Sequence, residues 1–465
     1  MRIKFCGGVR NVTGSKHLIT TDNGSKVLLD CGLFQGRRKE TREKNLNFHF
    51  DPKELDAVVV GHAHIDHTGN LPNLVKQGYT KDIHATVPTD ALIHYMLPDS
   101  AYLQERDAEY INKRNRRKGL PLIEPLYTTA DAMEAIRLTR PHNLDRWFKV
   151  APDVEIKFVE AGHILGSALT IVRVRERGRM IKLAYVVDLG RKGLPLLRDP
   201  FQIRRVDYVI IESTYGNRVH EPIEEAKYQL QEVINRTYNR GGKIIIPSFA
   251  VERTQELLYY IHELMEERKI PRIKVFIDSP LAVNITEVFR RFPDWFDEET
   301  QEYFRRGDDP FTHLNIEYVR SVDRSKELND INYPVIIISA SGMAEAGRIL
   351  HHLKNNIGNP KNTIMIVGFM AENTLGRKLA DGWKEVPILG EKYKVRAEVF
   401  VSHAFSAHAD KNELREYVRR MGKVKKVFVV HGEETQSLEL AIELQRLANV
   451  GKVIVPHEGD EVNLI

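Results

Sequence analysis

The stretch that most constrains the fold runs from residue 55 to residue 70 and reads LDAVVVGHAHIDHTGN. Its first six residues form a short, valine-rich apolar run, which favours a buried β-strand over a helix. Gly61 and a series of histidine and aspartate side chains follow where such a strand would end. Loops held by buried strands commonly carry binding and catalytic residues. The stretch therefore predicts a strand that presents a functional loop.

This loop contains His62, His64, Asp66 and His67, which offer three imidazoles and one carboxylate. That donor set suits zinc, and also iron or manganese. In an extended chain His62 and His64 point to the same side, so both can reach one ion. Asp66 and His67 lie past the turn and can face a second ion. A purely structural role would desolvate four polar groups together, which is unfavourable unless something binds them.

Other polar residues also follow apolar runs that read as strands. Taken one at a time, each could be an ordinary turn residue or helix cap. An aspartate among them, Asp188, could bridge two ions with its two oxygens. The residues are Asp30, His163, Asp188, Glu212 and His431, and the segment 403–410 adds His403 and His408.

The composition excludes several classes of protein. The chain has 465 residues, 42% hydrophobic and 29% charged, which is enough for two or three globular domains. No apolar run approaches the ~18–20 residues that span a bilayer, and the N-terminus has no apolar signal core. We therefore expect a cytoplasmic protein, or a nuclear one in a eukaryote, with no membrane partner. Only two cysteines occur, so the sequence predicts no disulfide framework.

The net charge of +5 is too small to indicate a polyanionic partner by itself. Local clusters are more informative: Arg37-Arg38-Lys39, and residues 113–118, KRNRRK. Such a run can be a solvated helix face, or it can contact phosphates if the protein handles nucleic acid. The sequence alone leaves both interpretations open.

The pattern changes near residue 217, where helical segments begin to alternate with buried strands. Such alternation predicts a parallel sheet covered by helices. The pattern of the first part of the chain returns at 394–402, where polar and apolar residues alternate as in a strand. We therefore expect a domain formed by residues 1–212 and completed by 394–465, with an α/β domain inserted at 213–393.

The ordered set of strand-end residues resembles the β-CASP group of metallo-β-lactamase-fold nucleases. Several segments of the predicted insert resemble the same group, and the resemblance covers nearly the whole chain. It implies an α/β protein: a metallo-β-lactamase αββα sandwich with an inserted β-CASP domain. The segments are ESTYG at 212–216, PSFAVERTQ at 247–255, DSPLA at 278–282, SGM at 341–343 and Gly376-Arg377.

Within this group the sequence is most similar to the RNA-processing branch, which includes the endonuclease subunit of the cleavage and polyadenylation machinery. Members that act on DNA usually lack a histidine at the position of His431. The resemblance therefore implies cleavage of single-stranded RNA by an endonuclease, and it leaves open 5′-to-3′ exonuclease action by the same site. It also leaves open a homodimer or a subunit of a processing complex.

The resemblance also implies roles for the residues. His62, His64 and His163 would hold one zinc ion, Asp66, His67 and His431 a second, and Asp188 would bridge the two. Asp30 would support this site from outside the ligand set. A hydroxide shared by the metals would attack the phosphorus, with Asp66 counted among the catalytic residues. His408 would protonate the leaving oxygen, and Glu212 would keep the His408 imidazole charged.

Phosphate contacts are expected from the inserted domain at Ser248, Arg253, Ser341 and Gly342. Ser341 and Gly342 precede a helix predicted at 344–355, whose first backbone N–H groups would bind phosphate. Arg253 could grip a phosphate with its planar guanidinium, or pair with an acid such as Glu256 or Asp278. His403 has no role that the sequence supports.

Three other functions remain possible at this stage. The first is a DNA nuclease with the same chemistry, against which His431 argues. The second is a small-ester or thioester hydrolase on the same fold, against which the β-CASP segments argue. The third is a catalytically silent RNA-binding subunit, which would be expected to have an eroded ligand set.

Overall fold

The computed structural model describes residues 1–36, 38–313, 315–368, 370 and 373–464. The side chains of Arg37, Arg38 and Lys39 lie outside the described part of the structure. The chain forms two units, each with its own core. Unit 1 comprises Met1–Lys192, Asp199–Val219 and Ala407–Ile465, and unit 2 comprises Gly193–Arg198 and His220–Ser406. No helix among the described residues is long and apolar enough to cross a membrane.

The first sheet of unit 1 is mixed, with strand order β22-β1-β2-β3-β4-β5-β6 in the described chain. Strands β22, β1, β2 and β3 pair antiparallel, and β3 to β6 pair parallel. The strands are β1 (Arg2–Gly7), β2 (Lys16–Thr20), β3 (Lys26–Leu29), β4 (Ala57–Val59), β5 (Ile83–Thr86), β6 (Thr139–His142) and β22 (Glu461–Asn463).

The second sheet of unit 1 has the order β21-β20-β11-β10-β9-β8-β7. Strands β7 to β10 form an antiparallel meander, and β10, β11, β20 and β21 are parallel. The strands are β7 (Trp147–Ala151), β8 (Val154–Glu160), β9 (Ala168–Glu176), β10 (Arg179–Val186), β11 (Tyr208–Ile211), β20 (Val424–Val429) and β21 (Val450–Ile454).

The two sheets of unit 1 pack face to face through one apolar core, to which Phe5 and Val27 contribute from the first sheet and Phe158 and Phe428 from the second. Helices cover the outer faces, which completes the predicted αββα sandwich. They are α1 (Arg38–Leu46), α2 (Ile65–Thr68), α3 (Leu71–Lys76), α4 (Val87–Lys118), α5 (Thr129–Arg137), α13 (Lys411–Arg419) and α14 (Glu434–Gln445), with a 3₁₀ turn at Pro52–Glu54.

Unit 2 is built on a parallel six-stranded sheet with the order β14-β13-β15-β12-β16-β19. Its central strands are continuous runs of buried isoleucine and valine, as expected where helices cover both faces. The strands are β12 (Ile244–Pro247), β13 (Lys274–Ile277), β14 (Ile316–Tyr318), β15 (Val335–Ser339), β16 (Thr363–Val367) and β19 (Glu398–Ser402), and β17 (Glu385–Ile388) and β18 (Glu391–Lys394) form a separate hairpin.

The helices of unit 2 alternate with these strands, as the sequence pattern predicts. Helix α7, for example, follows β12, and α8 follows β13. They are α6 (Glu224–Asn239), α7 (Arg253–Glu266), α8 (Pro280–Arg291), α9 (Glu298–Arg305), α10 (Val322–Asp330), α11 (Ile349–Asn356) and α12 (Leu375–Ala380), with a 3₁₀ turn at Pro293–Trp295.

The boundary between the units differs from the one expected at residue 393. Strand β19 pairs in parallel with β16 and so belongs to the sheet of unit 2, and unit 1 resumes only at Ala407. Unit 1 also extends to Val219 rather than 212. Alternation in 394–402 identifies a strand, but it carries no information about which sheet the strand joins.

Candidate metal centre

The predicted site residues of unit 1 follow the ends of six strands. His62 comes after β4, His163 after β8, Asp188 after β10 and His431 after β20, while Asp30 and Glu212 directly follow β3 and β11. Asp66 and His67 lie within the short helix α2. Because these strand ends meet at one edge of the sandwich, their side chains converge.

Three of these residues adopt the left-handed backbone region, which residues other than glycine rarely occupy. Their φ angles are 58° at Asp30, 57° at Asp188 and 46° at His431. Backbone hydrogen bonds hold each turn, such as the one from His431 N–H to the carbonyl of Gly8 at 2.7 Å. Backbone strain of this kind persists where the surrounding structure fixes it, and it is common at functional sites.

The loops of the site also pack closely on one another. A Cβ atom at Gly32 would lie 1.6 Å from the carbonyl oxygen of Asp66, and one at Gly190 would lie 1.8 Å from that of Gly162. Glycine is therefore required at both positions by the approach of a neighbouring loop.

The first donor cluster consists of His62, His64, His163 and Asp188, whose ligand atoms all lie within 4.8 Å of one another. Nδ1 of His64 is 3.0 Å from Nε2 of His62 and 3.3 Å from Nε2 of His163. Oδ2 of Asp188 is 3.2 Å from Nε2 of His62. These separations are close to the ~3.4 Å between ligand atoms that bind one tetrahedral zinc at about 2.1 Å.

The second cluster consists of Asp66, His67 and His431. Oδ2 of Asp66 lies 3.8 Å from Nε2 of His67 and 3.9 Å from Nε2 of His431. Asp188 stands between the clusters. Its Oδ1 lies 3.1 Å from Nε2 of His431 in the second cluster. Its Oδ2 lies 3.2 Å from Nε2 of His62 and 3.3 Å from that of His163 in the first cluster, and 3.5 Å from Nε2 of His67 in the second. The seven side chains therefore form two adjoining donor sets that share one carboxylate.

Asp30 is fully buried and supports the second cluster. Its Oδ2 accepts hydrogen bonds from Nδ1–H of His67 and from the Tyr185 hydroxyl, both at 2.7 Å. Its Oδ1 accepts one from the backbone N–H of Gly61 at 2.8 Å. A carboxylate that holds Nδ1–H of a histidine directs Nε2 of the same ring toward a metal.

Three hydroxyl groups that the sequence did not single out also help to position the site. Oγ of Ser15 lies 2.9 Å from Nδ1 of His431, and the Tyr185 hydroxyl fixes Asp30. A third, Oγ of Ser167, accepts a hydrogen bond from the backbone N–H of His163 at 3.1 Å. Serine and tyrosine are common in strands and turns, so no pattern in the sequence marks these three.

The donor clusters fit metal ions. Nε2 of His67 and Oδ1 of Asp188 are buried, and no described residue provides either atom with a hydrogen-bond partner. Buried polar atoms are rarely left in this state. Imidazole nitrogens and carboxylate oxygens at these spacings are the ligands of zinc sites. The chain therefore has a metal-binding centre.

The protein alone holds these groups in perturbed protonation states. Burial raises the pKa of Asp188 to about 7 against the effect of His67. Burial lowers the pKa of His67, but the carboxylates of Asp188, Asp66 and Asp30 outweigh it and raise the pKa to about 10. Burial also lowers the pKa values of His62, His163 and His431 well below the usual value. Neutral imidazoles of this kind are ready to ligate metal.

Glu212 and His408 form a separate contact beside Asp188. Oε2 of the buried Glu212 lies 3.0 Å from Nδ1 of His408, and the backbone N–H of Leu189 donates to Oε1. Burial lowers the pKa of His408, but Glu212 and Asp188 outweigh it and raise the pKa to about 9. Gly190 and His408 are also paired as an isolated antiparallel bridge, which fixes their loops together.

The residues predicted to bind phosphate lie in unit 2, and their side chains are less exposed to solvent than phosphate binding was expected to require. Ser248 is buried, and its hydroxyl oxygen is 3.1 Å from that of Thr254. Arg253 is 8% exposed, pairs with Glu256 and lies with its guanidinium carbon 5.5 Å from the ring centre of Phe405. Of the two alternatives for Arg253, the structure favours the ion pair.

Ser341 and Gly342 do not begin a helix, because α11 starts at Ile349 rather than 344. The residues between form a turn in which the Ser341 hydroxyl accepts from the backbone N–H of Glu345 at 3.1 Å. The N–H of Ser341 itself donates to the carbonyl of Ala346. These contacts occupy groups that were expected to face phosphate. His403 is exposed.

Comparison with protein families identifies three domains in the chain. Residues 14–178 match the metallo-β-lactamase superfamily, and residues 254–379 match the β-CASP domain. Residues 392–456 match a domain described as a Zn-dependent metallo-hydrolase RNA specificity domain.

Similar proteins span almost the whole chain. Ribonuclease TTHA0252 of Thermus thermophilus is 37% identical over 95% of each sequence. The transcription termination factor FttA of Methanocaldococcus jannaschii is 32% identical over 96% of this chain and 69% of its own. A crystal structure of a protein of unknown function from Enterococcus faecalis V583 shares the fold with a TM-score of 0.55 and 12% identity, covering 99% of both chains.

Proposed function

Because the chain belongs to the β-CASP family of metallo-β-lactamase-fold ribonucleases, we propose that it hydrolyses phosphodiester bonds of single-stranded RNA with two zinc ions as cofactors. That it is a metal-dependent ribonuclease follows from the family. The proposal of two ions rests on one observation above all: Asp188 lies beside both donor sets, 3.2 Å from Nε2 of His62 in the first and 3.1 Å from Nε2 of His431 in the second.

His62, His64 and His163 would hold one ion, Asp66, His67 and His431 the other, and Asp188 would contact both. Two zinc ions in these positions would activate a water for attack on phosphorus and stabilise the charge on the phosphate oxygens. The side chains themselves contribute a fixed, water-poor setting, since all but His64 and Asp66 are buried. Asp30 keeps the ring of His67 in the orientation that this arrangement needs.

His408 is suited to protonate the leaving oxygen. Its Nδ1–H is held by Glu212, so the proton for the leaving group would come from Nε2. The paired carboxylate keeps the imidazole charged at neutral pH, since the pKa of His408 is raised to about 9. A positioned histidine of this kind is a common general acid in hydrolytic enzymes. The products would be a 5′-phosphate and a 3′-hydroxyl.

The names of the relatives support RNA as the substrate, since one is a ribonuclease and another a transcription termination factor. We extend this to a role in RNA processing or decay by internal cleavage, and the end-labelled RNA described below would also detect 5′-to-3′ trimming. A homodimer, or association with other processing subunits, is part of the same proposal.

The test uses one RNA labelled at either end, a duplex of the same sequence and a matched DNA strand. Wild-type protein is compared with Asp66→Ala, with and without a chelator, and bound zinc is counted. We expect cleavage of the single-stranded RNA by the wild type alone, abolished by the chelator, with two zinc ions per chain. Absence of cleavage despite two bound ions would indicate a silent RNA-binding subunit, and equal cleavage of the duplex would contradict the preference for single strands.

A further inference from the structure

Helix α4 carries an exposed surface that the catalytic centre does not use. Its N-terminal half is anchored by buried residues such as Leu92, Ile93 and Leu97. Beyond Ala101 only Ala108 is buried in this described helix. One side of this half contacts the segment that follows the helix, where the Asn112 side-chain amide donates to the carbonyl of Ile123 at 2.8 Å, and the side that carries Tyr102 and Tyr110 is exposed to solvent. The helix ends at Gly119, whose φ of 64° is left-handed.

The exposed half presents two aromatic rings and a group of cations on one broad face. We call these residues the α4 stripe. Tyr102 and Tyr110 are 53% and 68% exposed. Residues three, four and seven positions apart on a helix share a face, which aligns the cations with the rings. The stripe consists of Tyr102, Arg106, Tyr110, Lys113, Arg114 and Arg117.

The cations at the end of the stripe have no acidic partner. Among the described residues, no ion pair involves Lys113, Arg114 or Arg117, and all three are exposed. Elsewhere in unit 1, exposed cations such as Arg419 pair with neighbouring carboxylates. A helix C-terminus attracts cations, but that effect fades within the last turn and does not explain the exposed tyrosines.

We propose that the α4 stripe binds single-stranded RNA as a second contact surface, outside the metal centre. This deepens the proposed function, because it depends on RNA being the substrate. Exposed rings stack on unpaired bases, and unpaired lysine and arginine side chains neutralise phosphates. Arg106 already lies 5.8 Å from the ring centre of Tyr102, which widens the flat surface available for stacking. From residue 102 to residue 117 the stripe is about 22 Å long, enough for several nucleotides.

The first test removes the charges. The variant Lys113→Gln/Arg114→Gln/Arg117→Gln is compared with Arg268→Gln/Arg272→Gln/Lys274→Gln, which removes three exposed cations from unit 2. Both are made in an Asp66→Ala background, and binding to a labelled, unstructured 30-nucleotide RNA is measured at several salt concentrations. We expect the stripe variant to bind this RNA at least about ten-fold more weakly than the protein without the stripe substitutions. The slope of log affinity against log salt concentration should fall by the amount that corresponds to about two phosphate contacts. The control variant should keep the original affinity and slope.

The second test separates the stripe from catalysis and from self-association. In the active protein, cleavage of an 8-nucleotide RNA should be unchanged by the stripe substitutions, while kcat/KM for the 30-nucleotide RNA falls. Tyr102→Ala/Tyr110→Ala should weaken RNA binding about five-fold or more without altering its salt dependence. Unchanged RNA affinity in both stripe variants would overturn the proposal. The proposal would also be overturned if the stripe variants kept their RNA affinity but changed from dimer to monomer in sedimentation. That result would assign the stripe to contact with a second copy of the chain. RNA bound through the stripe without cleavage would instead contradict the catalytic function.

Discussion

Oε2 of Glu212 lies 3.0 Å from Nδ1 of His408, although the two residues are 196 positions apart in the sequence. Glu212 is fully buried and is itself fixed by the backbone N–H of Leu189, directly after Asp188. The Glu212 carboxylate therefore connects three loops through hydrogen bonds: the loop after β10, the loop after β11 and the loop that carries His408. This arrangement fixes the direction of the His408 ring, as the proposed role of proton donor requires.

Substitution His408→Ala should reduce turnover about 100- to 10,000-fold, because a positioned general acid contributes that much. Zinc content should remain at the wild-type level. Steady-state cleavage and metal analysis of the same preparation check both statements, with His403→Ala as a control of equal size that should behave like the wild type. An RNA analogue with an activated leaving group should recover much of the lost rate. Loss of zinc together with activity would instead show that His408 is a metal ligand.

Substitution Asp30→Asn should weaken metal binding at the second cluster about 10- to 100-fold, because outer carboxylates orient histidine ligands. Competition with a chromophoric chelator measures this affinity, and excess zinc should restore activity. Tyr185→Phe removes a hydrogen bond to the same oxygen and leaves the one from His67, so its effect should be smaller. Equal zinc affinity in Asp30→Asn and wild type would show that the fold alone orients His67.

Substitution Gly190→Ala should destabilise unit 1 by more than about 2 kcal/mol, as overpacking of fixed backbone does. The added Cβ would lie 1.8 Å from the carbonyl of Gly162, so the loops after β8 and β10 would have to separate. His163 and Asp188 lie on those loops, and we expect zinc to be lost as well. Gly358→Ala meets no atom within 4 Å and serves as the control. Thermal unfolding and metal analysis measure the two effects, and an unchanged midpoint would contradict the close packing.

Stability should rise with pH between about 4 and 6.5 through His84, because burial and the nearby His142 lower the pKa of His84 from 6.5 to about 4. In that window the unfolded chain binds a proton that the folded chain does not, so acid favours unfolding. The loss should reach about 3 kcal/mol at pH 4, from 1.36 kcal/mol per pH unit. Denaturant unfolding across this range should give a flatter pH profile for His84→Gln. The exposed His94 provides the control, since His94→Gln should keep the wild-type slope.

The fold class and the family could be predicted from local patterns. Polar residues that end apolar strands, such as those after β4 and β10, mark the edge of the sandwich where side chains converge. The pattern is strong because it combines two signals: the short apolar run of a strand and the position of a polar residue directly after it. The α/β alternation of unit 2 is equally visible, since its strands are short apolar runs and its helices are longer.

What could not be predicted depends on partners far away in the sequence. Ser15 and His431 are 416 residues apart, and Tyr185 is 155 residues from Asp30, so no local signal links them. The sheet that β19 joins, the partner of Arg253 and the start of α11 are likewise decided by packing. In each case the local sequence is compatible with more than one partner, and tertiary packing determines which contact forms.

The order of the two donor sets along the chain has a consequence for biosynthesis. His62, His64, His163 and Asp188 all precede residue 193, whereas His408 and His431 follow the whole of unit 2. A ribosome that has made the first half of the protein has supplied the side chains of the first cluster, but neither His408 nor His431. With the roles proposed above for these two histidines, hydrolytic competence would arise only after unit 2 has been synthesised.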